Sequence, residues 1–137
     1  MYADYRYSRR NTVSDRRLHR RWRPPSRRKR DEPMTIRVAV CYGHPSDPAA
    51  FDEYYERVHI PLANAIPGLT EYTYSKAASL DGSPSPYYSV ASRYFPDEAT
   101  LKAGLASPEM TAAAGDVANF ATGGATLFTH EESSVRS

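Results

Sequence analysis

An α+β subunit with the element order strand, helix, strand, strand, helix, strand is predicted by three features of this 137-residue sequence. One segment alternates apolar and polar residues with period two, the mark of a half-buried strand, and two more are short runs rich in tyrosine and β-branched residues. Two further segments repeat apolar residues every three or four positions, as amphipathic helices do. Turns bearing Gly and Pro stand where the period changes.

The first strand is Thr35–Tyr42, with Ile36, Val38, Val40 and Tyr42 on one face and Thr35, Arg37, Ala39 and Cys41 on the other. Gly43, Pro45, Asp47 and Pro48 form the loop after it, with Asp47 as N-cap and Pro48 at the first helical position. In the helix that follows, Phe51, Tyr54, Tyr55, Val58 and Leu62 share a face, leaving Asp52 and Glu56 to solvent. Pro61 removes a backbone donor and restrains Ile60, so this helix is expected to finish near His59. Pro67 and Gly68 make the next turn. Residues 69–75 and 87–95 are strands rich in tyrosine and β-branched side chains, joined by the loop 80–86. Tyr72 and Tyr74 share one face of the first; Tyr88, Val90 and Tyr94 share one of the second. A second helical region runs from Asp97 to about Ala121, interrupted near Ser107 and Pro108, and Gly123 and Gly124 lead into a closing strand over 125–131. This is the ferredoxin-like split βαβ pattern, with both helices on one face of an antiparallel sheet. The other sheet face, expected to carry Thr, Ser and Ala with Tyr87 and Phe95, is left bare. The same face of a second copy covers it most economically, which gives a two-fold homodimer with Arg37 turned toward the partner.

Composition narrows the function classes. With 40% hydrophobic and 25% charged residues, the chain is neither collagen-like nor wholly disordered. Its apolar runs are only a few residues long, too short to span a bilayer. The single cysteine, Cys41, can form no internal disulfide, reads as buried filler and suits a reducing, cytoplasmic setting. The four histidines show no metal spacing, and no GxGxxG or P-loop glycine pattern is present, so neither a metal nor a bound cofactor is expected.

The net charge of +2 hides a split. Residues 1–33 hold 12 Arg or Lys against 4 Asp or Glu, a net of +8, while 34–137 hold 6 against 12, a net of −6. The first stretch has too little apolar surface to offset chain entropy and is expected to be a disordered basic leader. Three readings of it stay open: an over-extended start or inert tail, an arm that binds nucleic acid weakly through charge, or a targeting segment. The folded domain is expected over 34–137, and its negative charge speaks against nucleic acid as its own partner.

The stretch YGHPSDPAAFDEYYERVHIPLANAIPGL, residues 42–69, resembles the EthD family, named for ethyl tert-butyl ether degradation, and so does SPEMTAAAGDVANFATGG at 107–124. Tyr54 with Tyr55, the His59-x-Pro61-Leu62 motif and the Pro67-Gly68 pair carry it most specifically. The resemblance covers essentially all of 34–137 and none of the leader. It implies a dimeric α+β barrel of ferredoxin-like subunits. Members are commonly labelled reductases or oxidoreductases; related proteins of aromatic polyketide pathways act as decarboxylases or dehydratases, and similar barrels perform cofactor-free oxygenation or lactone isomerisation.

Among the candidate site residues His59 leads. Near a helix end it is either a capping histidine bonded to a carbonyl or a proton-transfer group, and the resemblance places the matching histidine in the cavity. Tyr42, Tyr54, Tyr55, Tyr72 and Tyr88, with His44 at the end of the first strand, are expected to bind substrate, although His44 also reads as a solvated turn residue. A tyrosine-rich site suits a flat, oxygenated, aromatic or polyketide-like molecule. Two functions follow: an enzyme with His59 moving a proton, or a non-catalytic dimeric protein that holds such a ligand for a partner oxidase.

Overall fold

β1 (Thr35–Tyr42) lies at the heart of a four-stranded antiparallel sheet ordered β2-β3-β1-β4. β2 is Glu71–Lys76, β3 is Ser89–Phe95 and β4 is Ala125–Glu132. The computed structural model describes residues 35–136, so the leader 1–33 lies outside the described residues. Residues up to Glu132 belong to one compact unit, and 133–136, which form no helix or strand, fall outside it. Register sets the two faces. Val38 pairs with Arg93 and Val40 with Ala91, so alternate residues of β1 and β3 share a face with Tyr72 and Tyr74 of β2. That face meets the helices and holds the core: Ile36, Val38, Val40, Tyr42, Ala91 and Phe95 are buried there.

The first helix enters as expected. Pro48 opens α1 (Pro48–Tyr54), and the Asp47 carboxylate accepts from the Ala50 amide at 3.2 Å. It does not end at His59. A π-helical turn, Tyr55–His59, continues into α2 (Ile60–Asn64), with the Ile60 amide donating to the Tyr55 carbonyl. The extra residue of that i→i+5 turn accommodates Pro61 without a break. It also shifts the buried face. His59, Ala63 and Ile66 follow Phe51 and Tyr55 inward, while Val58 and Leu62 are only half-buried.

The second helical region divides where Ser107 and Pro108 predict. α3 is Glu98–Leu105 and α4 is Pro108–Asp116, capped by side-chain bonds from Asp97 to the Thr100 amide and from Ser107 to the Met110 amide. A 3-10 turn, Val117–Asn119, then brings Phe120 into the core.

Two tyrosine-strand expectations fail. Phe95 is buried on the helix side, opposite Ile36, not on the bare face. Tyr88 does not share a face with Val90 and Tyr94; it lies just before β3 and packs its ring 5.1 Å from Phe51. Strand alternation does not bind a residue outside the ladder. At the end of β1, Gly43 and Gly123 touch backbone to backbone: a Cβ on Gly43 would collide with the Gly123 carbonyl oxygen. Glycine alone permits that approach.

Candidate functional site

Three elements converge on His59. The π turn carries it inward, α4 brings Asp116, and β3 brings Arg93 from the sheet. His59 is fully buried, with its ring 4.7 Å from Phe120 and 5.3 Å from Tyr55. Nδ1 donates to Asp116 Oδ2 at 3.0 Å, and Arg93 Nη2 lies 3.4 Å from Nε2. The two neighbours agree on one tautomer, because the carboxylate needs a proton on Nδ1 and the guanidinium needs a lone pair on Nε2. Burial lowers the His59 pKa; Asp116 pulls it up and the Arg93 charge pushes it down, and the net shift is downward. The imidazole is therefore neutral at pH 7. The helix continues past His59 into Ile60–Asn64, so His59 lies inside it and not near its end as expected. Nor is it a cap bonded to a carbonyl.

Asp116 is nearly buried and fully engaged. Its Oδ1 accepts from Tyr54 at 2.5 Å and from Asn119 at 3.0 Å. Burial pushes its carboxyl up, but the bonds from Tyr54, Asn119 and His59 outweigh this and hold it below its usual value. Tyr55 and Tyr72 share a hydrogen bond at 2.7 Å, and Tyr55 stacks on Tyr74 with centroids 4.1 Å apart. Burial raises the pKa of Tyr55, Tyr42 and Tyr74, so all three keep their protons. Four buried polar atoms here form no hydrogen bond: Tyr42 Oη, Tyr74 Oη, Ser89 Oγ and Arg93 Nε. Tyr42 lies close enough to Tyr55, and Tyr74 to Ser89, to be influenced by it, without bonding geometry.

The structure thus brings together His59, Tyr42, Tyr54, Tyr55 and Tyr72. Tyr88 joins the same aromatic layer beside Phe51, its amide donating to the Tyr42 carbonyl at 2.8 Å, and His44 lies at its margin with its ring 6.1 Å from that of Tyr88. His44 is exposed and its Nε2 donates to the Ser85 carbonyl at 2.7 Å, which ties two loops together. Tyr88 donates to Asp52 at 2.8 Å, and Lys76 donates to the other oxygen of the same carboxylate at 3.0 Å. Asp52, expected on the solvent face, is half-buried in that cluster. Arg93 and Asp116 were not among the sequence candidates. Each had a signal: Arg93 falls at the inward parity of β3 between Ala91 and Phe95, and Asp116 stands three residues after Ala113 and four before Phe120, on the buried stripe of its helix. Among the described residues no three His, Cys, Asp or Glu side chains gather to hold a metal, and no helix is long and apolar enough to cross a membrane.

The family model described as EthD domain matches residues 44–124, a stretch that contains His59, Arg93 and Asp116. The chain belongs to the EthD family. The chain is also similar to an 11.0 kDa protein from the thcB-thcC intergenic region of Rhodococcus erythropolis, 50% identical over 97 residues that make up 70% of this chain and 94% of that one. A solved EthD family protein from Bacillus halodurans is 32% identical with a TM-score of 0.68, the match covering 72% of this chain and 99% of the other. A second, EthD-like structure from Ralstonia eutropha is 24% identical, covers 77% of this chain and 97% of its own, and at a TM-score of 0.60 shares the fold.

Proposed function

We propose that this EthD-family protein is a small-molecule enzyme in which His59 moves a proton on a small, oxygenated, ring-shaped substrate of aromatic or polyketide-like type. The observation that carries this reading is the buried His59–Asp116 pair at 3.0 Å. Asp116 holds the proton on Nδ1, so Nε2 presents a lone pair, the form a general base needs. The lowered pKa keeps that form populated at neutral pH. The 3.4 Å contact from Arg93 is long, and a substrate proton competes for the same lone pair. Tyr42, Tyr54, Tyr55 and Tyr72 set the ring's orientation, while Tyr88, next to Phe51, and His44 beside it bear on a larger ligand. Isomerisation and dehydration both begin with a proton taken by such a base, which returns it to another atom in the first and gives it to the departing hydroxide as water in the second; decarboxylation instead releases CO2 and needs a proton delivered to the carbanion left behind. The working form is a cytoplasmic homodimer joined through the bare sheet face, where Arg37 Nε donates to Ser92 at 2.8 Å and Phe128 is half-exposed.

A second reading is supported by the same ring: His59 has no exposed surface and both nitrogens are engaged, as befits a structural residue in a non-catalytic binding protein. One experiment separates the two. Product formation is followed with purified protein, dimeric by light scattering, against a panel of aromatic ketones and lactones, alongside His59→Asn. The enzyme reading expects turnover that falls about 10²–10⁴-fold in the variant, the usual range for losing a general base. Binding without product, or equal activity per folded molecule in the variant, sinks it.

A further inference from the structure

Arg93 is 3% exposed and sits in a layer whose other walls are aromatic. A buried guanidinium is ordinarily met by an acceptor of opposite charge. Among the described residues no carboxylate is paired with it directly; Asp116 reaches it only through the neutral ring of His59. Its Cζ lies 5.5 Å from the Tyr72 ring centroid, and among the described residues its Nε–H has no acceptor. The carboxylate and imidazole acceptors nearby are spent, and the acceptors that remain are neutral hydroxyls. Both oxygens of Asp116 are taken by Tyr54, Asn119 and His59, and the one imidazole lone pair already faces Arg93. Donors are in surplus. Tyr42 and Tyr74 have unbonded hydroxyls, and the single hydrogen bond of Tyr55 with Tyr72 uses one of their two protons. These groups lie within one another's electrostatic reach: Arg93 acts on both Tyr42 and Tyr55. Register explains how they meet, since Arg93 stands opposite Tyr72 on the inward face while Ala91, two residues away on β3, stands opposite Tyr74.

We propose that the ligand of this layer is an organic oxyanion on a flat ring, a carboxylate or an enolate, with its oxygen received by Arg93 and the surrounding tyrosine hydroxyls. This rests on the reading of the helix–sheet layer as the ligand site and adds the charge of what enters it. Arginine suits the task because its planar fork offers directed donors to an oxyanion, and charge-assisted bonds of this kind are stronger than neutral ones. Beside His59, such an oxygen would sit where a proton is to be moved.

The test is isothermal titration calorimetry of the full-length protein with two matched pairs: naphthoate against naphthamide for the carboxylate, and lawsone, ionised at neutral pH, against its methyl ether for the enolate. In each pair the ring is nearly constant and the charge changes. The expected result is that the anion of at least one pair binds about tenfold or more tightly than its neutral partner. Which pair shows it separates carboxylate from enolate. Arg93→Gln should abolish the preference, and Arg93→Lys should keep part of it. Equal affinity within both pairs, binding of neither member up to millimolar concentration, or a preference that survives Arg93→Gln overturns the inference. Should Arg93→Gln fail to fold, the wild-type comparison and Arg93→Lys still decide. Anion preference without turnover of any panel compound refutes the proton-transfer reading and leaves this one standing; turnover of neutral substrates with no anion preference does the reverse.

Discussion

Two pairs of a nitrogen base and a carboxylate in this protein have the same 3.0 Å separation and opposite surroundings. Both start from the first helical segment, which supplies Asp52 to one and His59 to the other, and both include a tyrosine hydroxyl on the carboxylate. Lys76 and Asp52 are 51% and 40% exposed, whereas His59 and Asp116 are 0% and 6% exposed. Water screens the first pair and holds each charge almost as well as the partner does. Around the second, every polar atom depends on a protein neighbour, so losing one strands the others. Bond length alone does not rank these contacts; burial does.

The largest effect should come from Asp116→Ala, which leaves His59 Nδ1–H, Tyr54 and Asn119 without their acceptor. A loss of about 3 kcal/mol is expected, a fall in melting temperature above about 10 °C for a domain of this size. Thermal unfolding followed by circular dichroism checks it, and a fall under about 4 °C would refute the account of this network.

A smaller effect is expected from pH. The folded-state pKa of His59 lies below its ordinary 6.5, so the unfolded chain takes up the proton first as the medium acidifies. The contribution of His59 is then full above pH 6.5 and is lost as pH falls from 6.5 toward the lowered value, by at most about 1.4 kcal/mol per pH unit for one proton. Asp116, whose pKa is also lowered, adds the same kind of loss only below 3.8. Urea unfolding at pH 7.5, 6.5 and 5.5 (roughly one-unit steps around the titration) should show this slope in the wild type and a flatter one in His59→Asn. An unchanged slope in the variant means another group titrates.

The smallest effect belongs to the exposed pair. Lys76→Ala should cost no more than about 0.5 kcal/mol, and less still at high salt. Asp52 keeps its bond from Tyr88, so little else changes. A loss near that of Asp116→Ala would erase the distinction drawn between the two clusters.

The local layout was written in the sequence because it depends on near neighbours. The period-two pattern of β1 placed its strand and its inner face, and Asp47, Pro48, Ser107 and Pro108 marked helix starts through capping chemistry that needs only a few residues. His59 and the tyrosines were legible as residue types suited to chemistry, set in a stretch that resembles EthD proteins. What remained hidden was whatever depended on partners far along the chain. The continuation of the helix past Pro61 required a π turn that no local pattern announces. Asp116 meets His59 across 57 residues and Arg93 meets it across 34, so only the folded sheet and helices could show that the three form one line. Tyr88 and His44 illustrate the same limit: residue type offered them as site members, but only the packing of helix on sheet decided that their polar atoms bond to Asp52 and to the Ser85 carbonyl and not to His59.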